Sequence, residues 1–434
     1  MPNIRKVQLE ILVGKEKEGL YFDLPFEVPE EVERIDITYS YTRFPTLSSD
    51  GSVKTGEVNI IDLALSSNTG EFIGSSGSDR DHIWLSEYDV SDGYAPVEIG
   101  AGTWNIIVGA YKVQVAGVKV TYEVTFTFKE RMLLKGDCHL HTKGSDGILS
   151  VEEVAGFAKT NGLDFLFITD HNNYAHNRGL KSNKDLTLIP GTEWTHFEGH
   201  ANMLGVERPF SGHYYANNLD EVREKLAEAR QKGALVSINH PFDAGCPWKW
   251  GLDNIEFDCV EIWNSIIKAS DMKCIAWWHQ ELCKGRRLPA IGGSDFHRFH
   301  NLGMPGMPTT CVYSMSRGQT DILDAIKKGH AYITFQADAP QADIRCRGNF
   351  MGDEIPFEQN LSIIFEFTSV NAGDAIKIIS ASGVEKEFVV ERSGAVSFEI
   401  KAENKRFYRA ELYRQLLPGL PPMLYLITNP LYFC

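Results

Sequence analysis

Between Gly136 and Arg298 the chain carries His139, His141, Asp146, Asp170, His171, Glu193, His200, His240, Asp295 and His297, nearly all beside Gly, Ser or Pro at the ends of short apolar runs. Twelve of the thirteen histidines fall between residues 139 and 330, so imidazole is concentrated in one part of the chain. Imidazole and carboxylate together suit Zn, Mn or Fe, and a set without cysteine argues against a closed structural zinc site. The expectation is a metallohydrolase centre with two or more divalent cations.

The spacing gives each residue a reason. His139 and His141 stand at i, i+2, which puts both rings on one face of a strand and turns Cys138 to the other. Asp146, in Ser-Asp-Gly, reads as a turn aspartate alone and as a ligand in the wake of HLHTKG. His171 and Asp170 end an apolar run; the histidine is the candidate ligand, and Asp170 either ligates or orients a histidine. Glu193 is the carboxylate placed to bridge two cations. His200 is favoured over His196 because it precedes the apolar run at Met203, and His240 ends Val236-Ser-Ile-Asn. Asp295 and His297 repeat the i, i+2 relation.

These residues need a scaffold that brings strand ends together. From Leu133 to about Gln336 the pattern alternates strand, turn and helix, with helices expected at 151–161, 219–232, 270–284 and 320–328. Ser150 and Glu153 form a capping box for the first, and Asn161-Gly162 ends it. Leu219, Val222, Leu226 and Ala229 make the apolar stripe of the second. Alternation of this kind implies a mainly parallel α/β sheet, whose strand ends collect functional side chains. Residues 1–131 show β runs at hairpin spacing and read as a β-sandwich domain. Residues 133–336 form the metal-bearing domain, and β runs return in a small C-terminal domain at 338–434.

The chain has 434 residues, 43% apolar and 23% charged, which is enough for several buried cores. A formal charge of −15 argues against a nucleic-acid polymer or an anionic membrane as partner, while a small anionic substrate remains compatible with a cation-bearing pocket. The opening residues hold no apolar stretch of signal-peptide length, so a cytoplasmic location is expected. Eight scattered cysteines without a C-x-x-C pair read as reduced and mostly buried. Oligomeric state is not legible.

HLHT with SDG, ITDH, GTE, INHP and GSDFH resemble, in order, the motifs of the polymerase and histidinol phosphatase (PHP) superfamily of metal-dependent phosphoesterases, over about residues 135 to 336. Ala101-Gly-Thr-Trp104, Val108-Gly-Ala-Tyr111, GHANMLG and Thr428-Asn429-Pro430 are similar to the CehA/McbA branch, which includes carbamate hydrolases. The resemblance implies a distorted seven-stranded (β/α) barrel flanked by the two β domains, with two or three divalent cations (Zn, Mn or Fe). It assigns His139, His141, Glu193 and Asp295 to one cation, and Glu193, His200 and His240 to a second. Asp146, His171 and His297 would hold a third, which is optional because many relatives carry a histidine one residue after the position of Asp146. Asp170 becomes a supporting residue.

A cation lowers the pKa of bound water from about 15.7 toward about 7, so a hydroxide bridging two cations is the expected nucleophile. Glu193, Asp295, His171, His297 and Arg298 are the residues expected to carry catalysis. His171, His297 or the third cation would neutralise the leaving oxygen, and Arg298 would clamp an anionic group, with Lys143 a weaker version of the same idea. Trp248, Trp250 and Trp263 either wall a pocket for a ring-bearing substrate or pack in the core. The expected substrate is a small organic phosphate, mono- or diester; the alternatives are a carbamate or carboxylic ester, or a non-catalytic carbohydrate or surface binder on the β domains, for which Trp104 and Tyr111 are poor candidates.

Overall fold

The computed structural model describes residues 3–45, 56–299 and 303–434. Its contacts divide the chain into two compact units, residues 1–131 with 315–318, and residues 132–314 with 319–434.

In the first unit the alternating β runs form eight strands: β1 (Ile4–Val13), β2 (Tyr21–Val28), β3 (Val32–Tyr41), β4 (Ile60–Ser66), β5 (Phe72–Gly77), β6 (His82–Leu85), β7 (Gly102–Lys112) and β8 (Val118–Phe128). They pair as two four-stranded antiparallel sheets, β1-β8-β3-β6 and β2-β7-β4-β5. Alternation with period two sends Val120, Tyr122, Val124 and Phe126 of β8 into one core with Ile61, Leu63 and Leu65 of β4. Trp104 is fully buried there and its indole N–H donates to the Gly100 carbonyl, which removes it as a glycan platform; Tyr111 is exposed.

The second unit carries β9 (Met132–Asp137), β10 (Phe165–Ile168), β11 (Thr187–His196), β12 (Gly199–Leu204), β13 (Leu235–Ile238), β14 (Cys259–Asn264), β15 (Ala290–Gly293), β16 (Thr309–Ser314) and β17 (Ala331–Thr334). Four α-helices occur among the described residues, all in this unit: α1 (Val151–Thr160), α2 (Leu219–Gln231), α3 (Ala269–Cys283) and α4 (Gln319–Lys328). Each begins and ends within a residue of its expected bounds, because the stop and start signals are local. Ser150 Oγ accepts from Glu153 N while Glu153 Oε2 accepts from Ser150 N, and Asn218 caps α2.

Strands β9 to β15 lie side by side in chain order. The pairs β9–β10, β10–β11, β13–β14 and β14–β15 are parallel, whereas β11–β12 and β12–β13 are antiparallel. With four helices and a hairpin in its middle, this is a mixed, strand-rich sheet and not the regular (β/α) alternation expected. Beyond their ends β9 and β15 meet in a single parallel bridge between Leu140 and Phe296.

On its other side β9 pairs with β16, β16 with β17, and β17 with the strand Met423–Thr428, all antiparallel. The sheet then continues through Phe407–Arg414, Ala375–Ser380 and Gly383–Val389. The residues expected as a separate C-terminal domain thus share one hydrogen-bonded sheet with β9 to β15, and a second sheet from 341 to 401 packs into the same core. Asn429 fixes the junction. Its Oδ1 accepts from Ala290 N and its Nδ2 donates to the Ala290 and Ala331 carbonyls, satisfying backbone groups at the starts of β15 and β17.

No helix among the described residues is long and apolar enough to cross a membrane.

Candidate metal centre

The two i, i+2 pairs are brought together by the Leu140–Phe296 bridge. Asp295 N donates to the His139 carbonyl (2.7 Å) and His141 N to the Phe296 carbonyl (2.9 Å), so the buried Leu140 and Phe296 point one way and the four polar side chains the other. His139 and His141 sit just past the end of β9 instead of within it. Cys138, between strand and site, faces a core containing Phe165, Phe167 and Ile189. Gly293 lets the two segments approach, since a Cβ there would overlap the Cβ of His139.

Glu193 enters from β11, opposite Asn202 of β12, and is fully buried. Its Oε1 lies 3.2 Å from His139 Nε2, 3.1 Å from His200 Nδ1 and 3.5 Å from His240 Nε2. Its Oε2 lies 2.7 Å from His171 Nδ1 and 3.6 Å from His141 Nε2. Asn239 Nδ2 donates to Oε1 at 2.9 Å. His139 Nε2 and His141 Nε2 are 3.2 Å apart, and Asp295 Oδ1 is 3.4 and 3.0 Å from them. A second cluster joins His171 and His297, whose Nε2 atoms are 3.3 Å apart, with Asp146 Oδ1 at 3.7 and 3.3 Å. Every expected ligand is in one of these groups.

His196 is not. It stacks on Trp194 and packs against Trp250, while the Thr195–His200 pairing of the β11–β12 hairpin turns His200 to Glu193. Asp170 is fully buried and accepts from Thr142 N, Thr142 Oγ1 and Ser145 Oγ, so it holds the loop after His141. Lys143 is engaged with Glu153 at 2.9 Å. Trp263 is a core residue whose indole donates to the Ser265 carbonyl, and Trp248 is buried beside Trp194. Arg298 is exposed and lines a cavity of about 220 Å³ with Ser265, Ser294, Asp295, Phe296, His297 and Gly303.

The donor set is compatible with cations. Ligand atoms about 2.0–2.2 Å from one tetrahedral ion are about 3.3–3.6 Å from each other, and the separations above run from 2.7 to 3.7 Å around that value. The electrostatics agree. Burial opposes the charge on Glu193, yet His139, His171 and His200 hold its pKa well below the usual range. Asp295 is likewise lowered against burial, by His139 and His141. Burial works against protonation of His139, but Asp295, Glu261 and Glu193 raise its pKa well above normal; burial lowers that of His141. The centre is thus arranged to keep acids ionised and to favour positive charge among them. His240 and Asp295 both have positive φ, 29° and 50°, a strain that persists where surrounding structure imposes it.

Several participants carry no sequence signal of their own. Asp137 accepts from His139 N and Ser294 N through Oδ1, and from Ser294 Oγ and Gly306 N through Oδ2; burial pushes its pKa up to about 6. Glu261 and Asn264 of β14 lie behind the ligands. Cys246, expected among buried thiols, has its Sγ 3.7 Å from His240 Nδ1 and groups with His200 and His240. All eight cysteines are free.

No protein-family model matches the chain, and no curated protein sequence matches it. Among solved structures, it is similar to a two-domain protein from Bacteroides vulgatus described as containing a predicted PHP-like metal-dependent phosphoesterase: 17% identity over 69% of this chain and 96% of that one, TM-score 0.40. A Bifidobacterium adolescentis protein described provisionally as a metal-dependent phosphoesterase aligns at 15% identity over 39% of this chain and 90% of its own, TM-score 0.28. An amidohydrolase from Chromobacterium violaceum, with bound sulfate and no metal, aligns at 16% over 46% and 98%, TM-score 0.28.

Proposed function

We propose that this chain is a metal-dependent phosphoesterase of the PHP superfamily, in its CehA/McbA branch, acting on a phosphomonoester or phosphodiester of a small metabolite. In this reading β9 to β15, joined through Leu140 and Phe296, are its distorted seven-stranded barrel, with residues 1–131 as a preceding β domain and strands after residue 338 continuing the same sheet. One observation carries the proposal: Glu193, fully buried, meets histidines on both oxygens, as a carboxylate bridging two cations does. His139, His141, Glu193 and Asp295 would hold one cation, Glu193, His200 and His240 a second, and Asp146, His171 and His297 a third.

Divalent cations bound there supply Lewis acidity, lowering the pKa of water and polarising the ester under attack. The chain's own groups do the rest. The buried side of the site, formed by His139, His141 and Glu193, excludes bulk solvent and fixes the reacting geometry. Arg298, at the rim beside Asp295 and His297, binds a non-bridging phosphate oxygen through its guanidinium fork. His171 and His297 are each about a quarter exposed; with the third cation absent, one of them would deliver a proton to the leaving oxygen, and with it present the charge there would be met by that cation instead.

The test is turnover of p-nitrophenyl phosphate, cyclic nucleotides and 3′,5′-bisphosphorylated nucleotides by chelator-stripped protein reloaded with Mn, Zn or Fe. Metal-dependent phosphoester cleavage is expected. Naphthol release from a naphthyl carbamate with no phosphoester cleavage would transfer the same centre to a carbamate or carboxylic ester. Silence with every substrate and metal would refute the enzyme reading and favour a binding protein.

A further inference from the structure

Strand β14 lies between β13 and β15, pairing Ile238 with Val260 and Glu261 with Ile291, yet it delivers none of the ligands named above. Its neighbours deliver His240 and Asp295. What β14 contributes at the same level is Glu261, a carboxylate 2% exposed in the middle of Cys259-Val-Glu-Ile-Trp-Asn264. Such a charge is costly to bury unless each oxygen is satisfied, and both are. Oε1 is 3.0 Å from His139 Nδ1. Oε2 accepts from the backbone N–H of His240 at 3.0 Å and from Asn264 Nδ2 at 3.2 Å. Asn264 Nδ2 also lies 3.3 Å from Asp295 Oδ2.

From this geometry we infer that Glu261 is a positioning residue that sets the metal affinity of the whole centre, by fixing ligands of both the first and the second cation at once. With Nδ1 3.0 Å from a Glu261 oxygen, a metal-binding His139 places its ring proton on Nδ1 and its lone pair on Nε2, the nitrogen that faces Glu193, His141 and Asp295. The other oxygen anchors the backbone of His240 in its left-handed conformation, and Asn264 extends the same support to Asp295. A residue that only filled space would require neither the charge nor the alignment of these acceptors.

The inference rests on the reading of the centre as a metal site. Its test uses full-length protein stripped with a chelator and titrated with Co(II), read by visible absorption, and with Zn(II) against a chromophoric chelator. E261Q replaces the acceptor facing either His139 Nδ1–H or His240 N–H by an amide donor. It should bind both ions about 10- to 100-fold more weakly, with an altered Co(II) spectrum and unchanged near-UV circular dichroism. If E261Q does not fold, E261D carries the same expectation, since it keeps the charge but withdraws it by one methylene. Wild-type affinity and an unchanged spectrum in the folded variant would overturn the inference, as would wild-type protein that binds neither ion. Because both readouts use the metal alone, a lack of phosphoester turnover would count against the proposed substrate and not against Glu261.

Discussion

Glu193→Gln is the sharpest perturbation available, because it keeps the shape of the side chain and removes one charge. The carboxylate sits 2.7 to 3.6 Å from five imidazoles and is the group shared by the first and second proposed cation sites. Two unit charges about 3.2 Å apart at an effective dielectric constant of about 20 interact by about 5 kcal/mol. Part of that is offset by the cost of keeping the carboxylate dry, so about 3–4 kcal/mol should survive as lost binding free energy. This corresponds to a Kd about 10²- to 10³-fold higher. The assay is competition for Zn(II) against a chromophoric chelator at neutral pH, with metal content of the dialysed protein measured in parallel. E193Q should also hold fewer ions at saturation. Binding within a few-fold of wild type, with the same number of ions, would refute the assignment of Glu193 as the shared ligand.

Three further outcomes follow from the same geometry. His200→Ala should lose one ion per chain while His196→Ala keeps all of them, because only His200 faces Glu193; equal metal content in the two variants would contradict the placement. Arg298→Ala should raise KM for phosphoester substrates about tenfold or more with little change in metal content, the loss of a charged hydrogen bond being worth about 1.5–3 kcal/mol. Asp271 of α3, whose pKa burial pushes from 3.8 up to about 7, makes stability pH-dependent. Since the folded value lies above the unfolded one, its contribution is complete below about pH 4 and is lost as pH rises through about 7, a swing of at most about 4 kcal/mol. Chemical denaturation should show wild type losing stability relative to Asp271→Asn over that range; parallel curves would refute the assignment.

Much of this centre was legible where the signal was local. An apolar run that ends in Asp170-His171, in Asn239-His240 or in Ser294-Asp295 announces a strand end with a polar burden, and the capping box at Ser150 announces α1. Other features depend on partners far away in the chain. Glu261 reads as an odd charge in an apolar strand until His139, 122 residues earlier, is set against it. The choice between His200 and His196 is made by cross-strand register, not by composition. The continuation of the sheet into the C-terminal residues rests on Tyr332 pairing with Thr428, a contact no local pattern encodes. Trp263 shows the converse limit: it lies within β14, and aromatic residues near strand ends look alike in sequence, so burial alone separates core from rim.

In the proposed enzyme these imidazoles and acids grip a cluster of ions around Glu193. Its most direct test is an anomalous difference map from crystals of the metal-reconstituted protein, collected at the absorption edge of the added metal. At least two peaks flanking the Glu193 carboxylate are expected, one beside His139, His141 and Asp295 and one beside His200 and His240. A map with no peak among those side chains would contradict the account.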